Sequence, residues 1–487
     1  MMEHAHYYTI AQLAQTGPAQ IPALYDTGAH LIYSSPATLA FNSPGAEGFG
    51  VKRAGLSIPG SVMLIVSPGC CGRNTAEITR IAGYEERFFY LEMDETDLVT
   101  GRHLKKIPDA VQEIASFLTT KPSVVMICIT CADALLGTDL ERVCRKAEEH
   151  TGIPVRPCYM YALTREGRRP PMVHVRESLY SMVPARKKKS TSVNLLGFFA
   201  PLRDDCELYG LLRAAGIKKI REISRCETFE EFQQMGEANF NLVLFPEARA
   251  AAEDLRVRLG IPYIELSRFV GTGRTMRQYR ALFSAIGTEL PEVPEGFVTK
   301  EMADSAARDL QAAHPDLTFS IGEVINADPF ELALTLVCYG WTVAEIFAAP
   351  DPTRFPYIRK LAELSPSTRV YANTDPSMLF YEEDVHCDVT IGKDAAYYHS
   401  GAAHLYFNED RQPFGYEGAY LLYSQLRRLL AEGNSAGPAG GAGSCNRAAG
   451  QASAAEPETQ CPQDESLFSI SDANRREAAK PVEGGRA

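Results

Sequence analysis

Two cysteine positions carry the strongest chemical signal in this 487-residue chain. The apolar run Ser61-Val-Met-Leu-Ile-Val66 opens into Ser67-Pro-Gly-Cys70-Cys71-Gly-Arg-Asn-Thr75, a Gly/Pro-rich turn followed by a helix-length stretch. About sixty residues later a second apolar run, 124–129, opens in the same way into Thr130-Cys131-Ala-Asp-Ala-Leu-Leu-Gly137-Thr-Asp139. If the two runs are parallel strands, both thiols fall at strand-to-helix turns on one edge of one sheet. Helix N-termini carry partial positive charge there, which favours thiolate, the form that ligates iron. Cys128 and Cys131 also spell C-x-x-C, but a redox pair opens a helix, whereas Cys128 falls inside an apolar strand and reads as a core thiol. A zinc ribbon needs a second such pair, and the sequence has only one. Cys144, Cys158, Cys206, Cys226 and Cys338 fall in predicted helices or strands and read as packed thiols.

Those turns need elements to hold them. Short β-branched runs alternate with amphipathic helix-length stretches over most of the chain, and the runs are near-continuously apolar, as parallel strands covered on both faces are. The first cycle predicts strands at 61–66, 88–93, 123–129 and 154–159, with helices from about Thr75, Pro108 and Thr138. A basic stretch, Pro184-Ala-Arg-Lys-Lys-Lys-Ser190, reads as a solvated linker. The second cycle predicts strands at 193–199, ending near 223, at 240–245 and at 261–265. After Leu290-Pro-Glu-Val-Pro-Glu-Gly296 a third cycle predicts strands at 317–321, 343–347, 369–371 and 388–391, and a closing helix over 416–430. The expected architecture is three doubly wound α/β domains, 1–190, 191–290 and 291–432. A tail follows at 433–487, rich in Gly, Ala, Ser and Pro, whose composition predicts disorder. Sites in such folds lie at the carboxyl ends of parallel strands, where both cysteine turns are.

Composition narrows the function. Lys plus Arg is 49 and Asp plus Glu 61, a net charge of −12; the tail holds five basic and seven acidic residues, which leaves −10 on the body. An acidic body argues against a nucleic-acid partner. No apolar run reaches the roughly 18 residues of a membrane span, and residues 1–6 show neither a basic n-region nor an apolar h-region, so the expectation is a cytoplasmic protein in which cysteine serves metal, catalysis or packing.

Taken together, Ser67-Pro-Gly-Cys70, Ile129-Thr-Cys131 and Leu136-Gly-Thr-Asp139 resemble component 1 of the nitrogenase family. Val193-Asn-Leu-Leu-Gly197, Asn239-Phe-Asn-Leu-Val243, Gly260-Ile-Pro262 and Phe414-Gly-Tyr-Glu-Gly418-Ala419 resemble later strands and the closing helix, in the family's order. The resemblance implies a subunit of three α/β domains that pairs with a homologous or identical component 1 subunit, holds an iron-sulfur cluster at the interface, and receives electrons from an ATP-dependent iron protein. Carried over by position, Cys70 and Cys131 match cluster ligands, and Cys71 is an extra thiol that could take the place of Cys70 or stay unused. The upstream turn that should supply a further cysteine reads Phe41-Asn-Ser43-Pro-Gly-Ala46. Ser43 could ligate iron only as an alkoxide, and a turn residue is the plainer account. Two or three thiols per subunit suit one shared [4Fe-4S] cluster.

In the nitrogenase α subunit the strand matching Asn241-Leu-Val-Leu-Phe245 ends in the cysteine that anchors the large metal cofactor, and this chain has Phe245; His399 and His404 do not align with the anchoring histidine. Dinitrogen reduction is therefore not expected. The reading placed first is an iron-sulfur oxidoreductase performing a low-potential reduction; the alternative is a scaffold on which a metal cluster or cofactor is assembled and passed on. Asp94-Glu-Thr-Asp97 beside His103 is read as an exposed acidic loop rather than a hard-metal site. Gly271-Thr-Gly273-Arg274 lacks the third glycine of a dinucleotide fingerprint and is set aside.

Overall fold

The computed structural model describes residues 4–25, 50–69, 84–129, 137–159 and 169–435. Near-continuous apolar runs become buried parallel strands, as their composition requires. A short edge strand, β1 (Tyr7–Thr9), comes first in the chain. The first sheet holds β2 (Ser61–Ser67), β3 (Phe88–Glu92), β4 (Val124–Ile129) and β5 (Val155–Pro157) in the order β3-β2-β4-β5, all parallel. Every residue of β2 and β4 is buried. The second sheet holds β6 (Lys189–Leu196), β7 (Lys219–Arg221), β8 (Ala238–Val243) and β9 (Tyr263–Glu265) in the order β7-β6-β8-β9, again parallel. The third sheet contains β10 (Thr318–Gly322), β11 (Thr342–Phe347), β12 (Arg369–Tyr371), β13 (Val389–Ile391) and β14 (Ala403–Leu405), in the order β1-β12-β11-β10-β13-β14.

The predicted strands are therefore present, with ends shifted by a few residues. Some features differ from the expectation, each for a packing reason. Residues 7–16 join the third sheet rather than the first: β1 pairs antiparallel with β12, and the helix Ile10–Thr16 buries Ile10 and Leu13 in the third core. The helix expected from Pro108 begins at His103, with Pro108 inside it. The basic stretch at 184–190 is docked, since Arg186 pairs with Glu230 at 2.9 Å and Lys189 with Glu237 at 2.7 Å. The helix Pro171–Tyr180 lies between the first two sheets, and one apolar cluster runs from Met63 and Met126 through Val175 and Leu179 to Leu196 and Val243. Among the described residues no helix is long and apolar enough to cross a membrane.

The closing helix Gly415–Ser435 binds the second and third units together. Its first turn meets the buried carboxylate of Glu207, which accepts from Tyr279 Oη at 2.7 Å, Tyr416 N at 2.6 Å and Glu417 N at 3.1 Å. Glu207 thus caps another helix's N-terminus, where negative charge is favoured. Gly415 has φ +65°, and a Cβ there would come within 1.9 Å of Glu207 Oε1. Gly415→Ala is expected to cost at least about 1–2 kcal/mol, from strain and the displaced carboxylate, read as a lower urea midpoint. Burial pushes the Glu207 carboxyl up to about 7 and that of Glu417 up to about 8. A carboxyl raised in the folded state binds its proton more tightly there than in the unfolded chain, so its contribution weakens as pH rises from the ordinary carboxyl range through 7 and 8. Unfolding free energy should fall across that window, and Glu207→Gln should flatten the slope in urea titrations at a series of pH values.

Candidate metal-cluster site

Cys70, Cys71, Cys131 and Ser43 lie outside the described residues, as do Arg73 and Asn74. The strands that lead to the thiols are described. β2 and β4 are direct neighbours in register, with Ile65 opposite Cys128 and Val66 opposite Ile129. The chain leaves the two strands from paired positions, roughly 4.8 Å apart as adjacent strands are; Cys70 follows four positions after Val66 and Cys131 two after Ile129. The exit of β2 is pinned by β3: Ser67 O accepts from Tyr90 Oη at 3.0 Å and from Met93 N at 3.0 Å. A Cβ at Gly69 would stand 2.9 Å from Glu92 Oε1, the end of an exposed side chain that can swing aside. Downstream of Cys131, Asp139 caps the helix Leu140–Thr151 by accepting from Arg142 N at 2.9 Å.

Cys128 is fully buried in β4 among Met63, Met126 and Cys158, which makes it a core thiol pointing away from any exposed turn. Cys144, Cys158 and Cys206 are likewise buried, and burial pushes the Cys144 thiol far up. Asp94, Glu95 and Thr96 are exposed as expected, but the segment opens the helix Glu95–Thr100 rather than forming a loop, with Asp94 and Asp97 as its capping box. Asp97 is buried and bonds Lys106 Nζ at 2.6 Å and Arg102 Nε at 3.0 Å. Lys106 and then Arg102 hold its carboxyl below the usual range, against the opposing effect of burial.

At the third sheet, β13 lies on the opposite side of β10 from β11 and β12, and the crevice where the order reverses is where ligands bind in such folds. Here it is filled from within. The buried Asp394 carboxylate accepts through Oδ2 from Glu323 N at 2.6 Å and Asn373 Nδ2 at 2.8 Å, and burial pushes its pKa up. A Cβ at Gly322 would lie 1.8 Å from Asp394 Oδ1, so glycine there is what admits the carboxylate. His399 is enclosed, with Nε2 2.6 Å from Glu345 Oε2 and 3.2 Å from Tyr381 Oη, and His404 Nδ1 lies 2.8 Å from Thr390 Oγ1. Both histidines are committed to internal hydrogen bonds. The glycine turn before the helix Thr272–Ala285 holds a protein carboxylate, Glu331, which accepts from Val270 N at 2.9 Å and Gly271 N at 3.0 Å and pairs with Arg274 at 2.6 Å.

The second sheet's carboxyl edge is lined by aromatic rings and two arginines. Phe245 follows β8 and packs against Phe198, ring centres 5.7 Å apart. Arg176, on the helix between the sheets, lies over Phe199 at 4.4 Å and Phe245 at 5.4 Å and pairs with Glu247 at 2.7 Å. Arg268, after β9, lies over Phe198 at 4.5 Å. The sequence reading missed these cations, since arginine beside phenylalanine leaves no spacing signature when the partners come from different strands.

The comparisons with known proteins agree with this architecture. The family described as nitrogenase component 1 type oxidoreductase matches residues 47–430. The chain belongs to that family. Among curated relatives, the nitrogenase iron-molybdenum cofactor biosynthesis protein NifE of Klebsiella pneumoniae is 29% identical over 227 residues, 44% of this chain and 49% of that protein. The nitrogenase molybdenum-iron protein alpha chain of Methanosarcina barkeri is 24% identical over 221 residues, 44% of this chain and 41% of that one. The matches thus span about half the length of these curated relatives. A solved structure titled nitrogenase Cp1 at pH 6.5 superposes with a TM-score of 0.61 at 18% identity, covering 83% of this chain and 93% of that one, which shows a shared fold. The α/β architecture expected of a nitrogenase component 1-like chain is therefore the one observed.

Because Cys128 packs in the core, Cys128→Ala should cost about 1 kcal/mol through lost volume and leave iron content per chain unchanged, as read by denaturant titration and iron analysis on the same preparation.

Proposed function

We propose that the chain is a scaffold on which an iron-sulfur cluster or a metal cofactor precursor is assembled and handed on. Reduction of a substrate by an interface cluster, the reading placed first from sequence, becomes the second. The observation that carries this order is the second-sheet exit: Phe245, packed on Phe198, occupies the position where the family resemblance would place a cofactor-anchoring thiol. A protein that passes its cargo on has no need of a permanent covalent anchor. The similarity to NifE proteins, whose name is that of cofactor biosynthesis, supports the same order.

In this reading Cys70 and Cys131 hold a [4Fe-4S] cluster, with Cys71 as the neighbouring thiol and Ser43 as the remaining candidate ligand. The neighbouring exits of β2 and β4 support a common centre for the first two. Thiolates there would set the cluster's potential through ligation and burial. The partners are a homologous or identical component 1 subunit and an ATP-dependent iron protein, and the three units divide near residues 190 and 290.

Anaerobically purified chain should contain iron and acid-labile sulfide, and Cys70→Ala and Cys131→Ala should each lose most of both. Undiminished iron in both variants rejects these ligands. Incubation of the loaded chain with an apo-acceptor should move metal to the acceptor without turnover. Multiple turnover of an added electron acceptor, dependent on the iron protein and ATP, with no metal lost, would instead establish the reductase.

A further inference from the structure

Arg268 stands apart from the other cations where the second and third units meet. Its Nη2 donates to Gln412 Oε1 at 2.6 Å. Gln412 cannot turn away: the same oxygen accepts from Asn326 Nδ2 at 2.9 Å, while Gln412 Nε2 donates to Glu409 O at 3.0 Å and Asp410 O at 2.9 Å. A flipped amide would set donor against donor at two places, so the orientation is determined by the network. Asn326, just beyond β10, is fixed in turn, its Oδ1 accepting from Glu409 N at 2.8 Å. The guanidinium is thus clamped between the Phe198 ring and a rigid amide.

Its neighbours are neutralised by carboxylates. Arg176 pairs with Glu247 at 2.7 Å, Arg203 with Glu417 at 2.5 Å, and Arg225 and Arg411 with Asp204 at 2.7 and 3.0 Å. Among the described residues no carboxylate forms an ion pair with Arg268, and its enclosed Nε has no acceptor. Nη1 is likewise without an acceptor but is not enclosed, so its N–H groups are open to a ligand. Burial draws its pKa down to about 9, opposed only by the charge of Glu417, and the group stays cationic at neutral pH. A partly dehydrated, unpaired cation is costly to hold unless an anion joins it.

We propose that Arg268 anchors a binding site for an oxyanion, carboxylate or phosphate, seated where the carboxyl edges of the second and third sheets meet, with Phe198 as its apolar wall and Gln412 holding the guanidinium in place. The N–H groups of Nη1 are charge-assisted donors of the kind that carboxylate and phosphate oxygens accept. The site needs neither cluster nor partner subunit, so it stands independently of the scaffold reading.

The test uses the full metal-free chain at low ionic strength, with sodium succinate, inorganic phosphate and sodium chloride added at matched ionic strength and the thermal unfolding midpoint followed. Succinate or phosphate should raise the midpoint and chloride should not, and the more effective of the two identifies the class of anion. Arg268→Gln should lose the whole rise and, without added anion, unfold no lower than the wild type, since an unpaired charge has gone. Gln412→Glu supplies the missing carboxylate from within and should likewise abolish the response. No rise with either oxyanion in the wild type overturns the proposal. So does an Arg268→Gln or Gln412→Glu protein that responds as the wild type does. An Arg268→Gln chain that fails to fold leaves the decision to Gln412→Glu, whose surviving response would refute the site and whose lost response would support it.

Discussion

One loop holds the three sheets in mutual position. Residues 407–413 lie between the last strand and the closing helix, and each unit sends a side chain or backbone group to them. Arg53, from the first unit, pairs with Asp410. Pro201 O, beyond β6, accepts from Gln412 N at 3.0 Å, and Arg268 reaches the Gln412 side chain. Asn326, beyond β10, donates to Phe407 O at 2.8 Å through its backbone and bonds Glu409 and Gln412 through its amide. Phe407 itself has φ +39°, a conformation that non-glycine residues avoid, and it is buried in the third core. Such strain persists where surrounding contacts over-determine the backbone.

The same logic recurs with buried carboxylates. Glu207 caps the closing helix, Glu331 fills the glycine turn between the second and third units, and Asp394 fills the crevice of the third sheet. Each accepts from backbone N–H groups that would otherwise be orphaned in the interior, where an unpaired donor costs about 1–3 kcal/mol. These are the positions at which a doubly wound fold offers anion and ligand sites. Two of them, the glycine turn and the third-sheet crevice, are occupied by the protein's own side chains. The edge of the second sheet is different: its arginines are held against aromatic rings, and one of them has no counter-charge among the described residues.

The strands were legible in the sequence because parallel strands buried on both faces must be apolar along their whole length, as β2 and β4 are. Cys128 was legible as packing for the same reason: its place within such a run rules out an exposed turn. The short edge strands β1 and β14 were not legible, since three residues carry no period, and they form only because the third sheet offers a backbone to pair with. In the acidic run Asp94 is exposed as read, but Asp97 is not; charge density suggests solvent, yet Lys106 and Arg102 arrive from the start of the next helix and neutralise Asp97 in place. The core shared by the first two sheets left no mark in the sequence, because its members come from strands and a helix far apart in the chain.

By itself, the sequence determined the family and the parallel α/β layout, because both depend on local order: apolar runs separated by glycine and proline turns. Tertiary structure alone decided which crevices are filled and which cation meets no carboxylate among the described residues. Hydrogen bonds such as Arg268 to Gln412 or Glu207 to Tyr416 join residues 144 and 209 positions apart. Charge neutralisation is a property of distance in space, and no local pattern of residues encodes it.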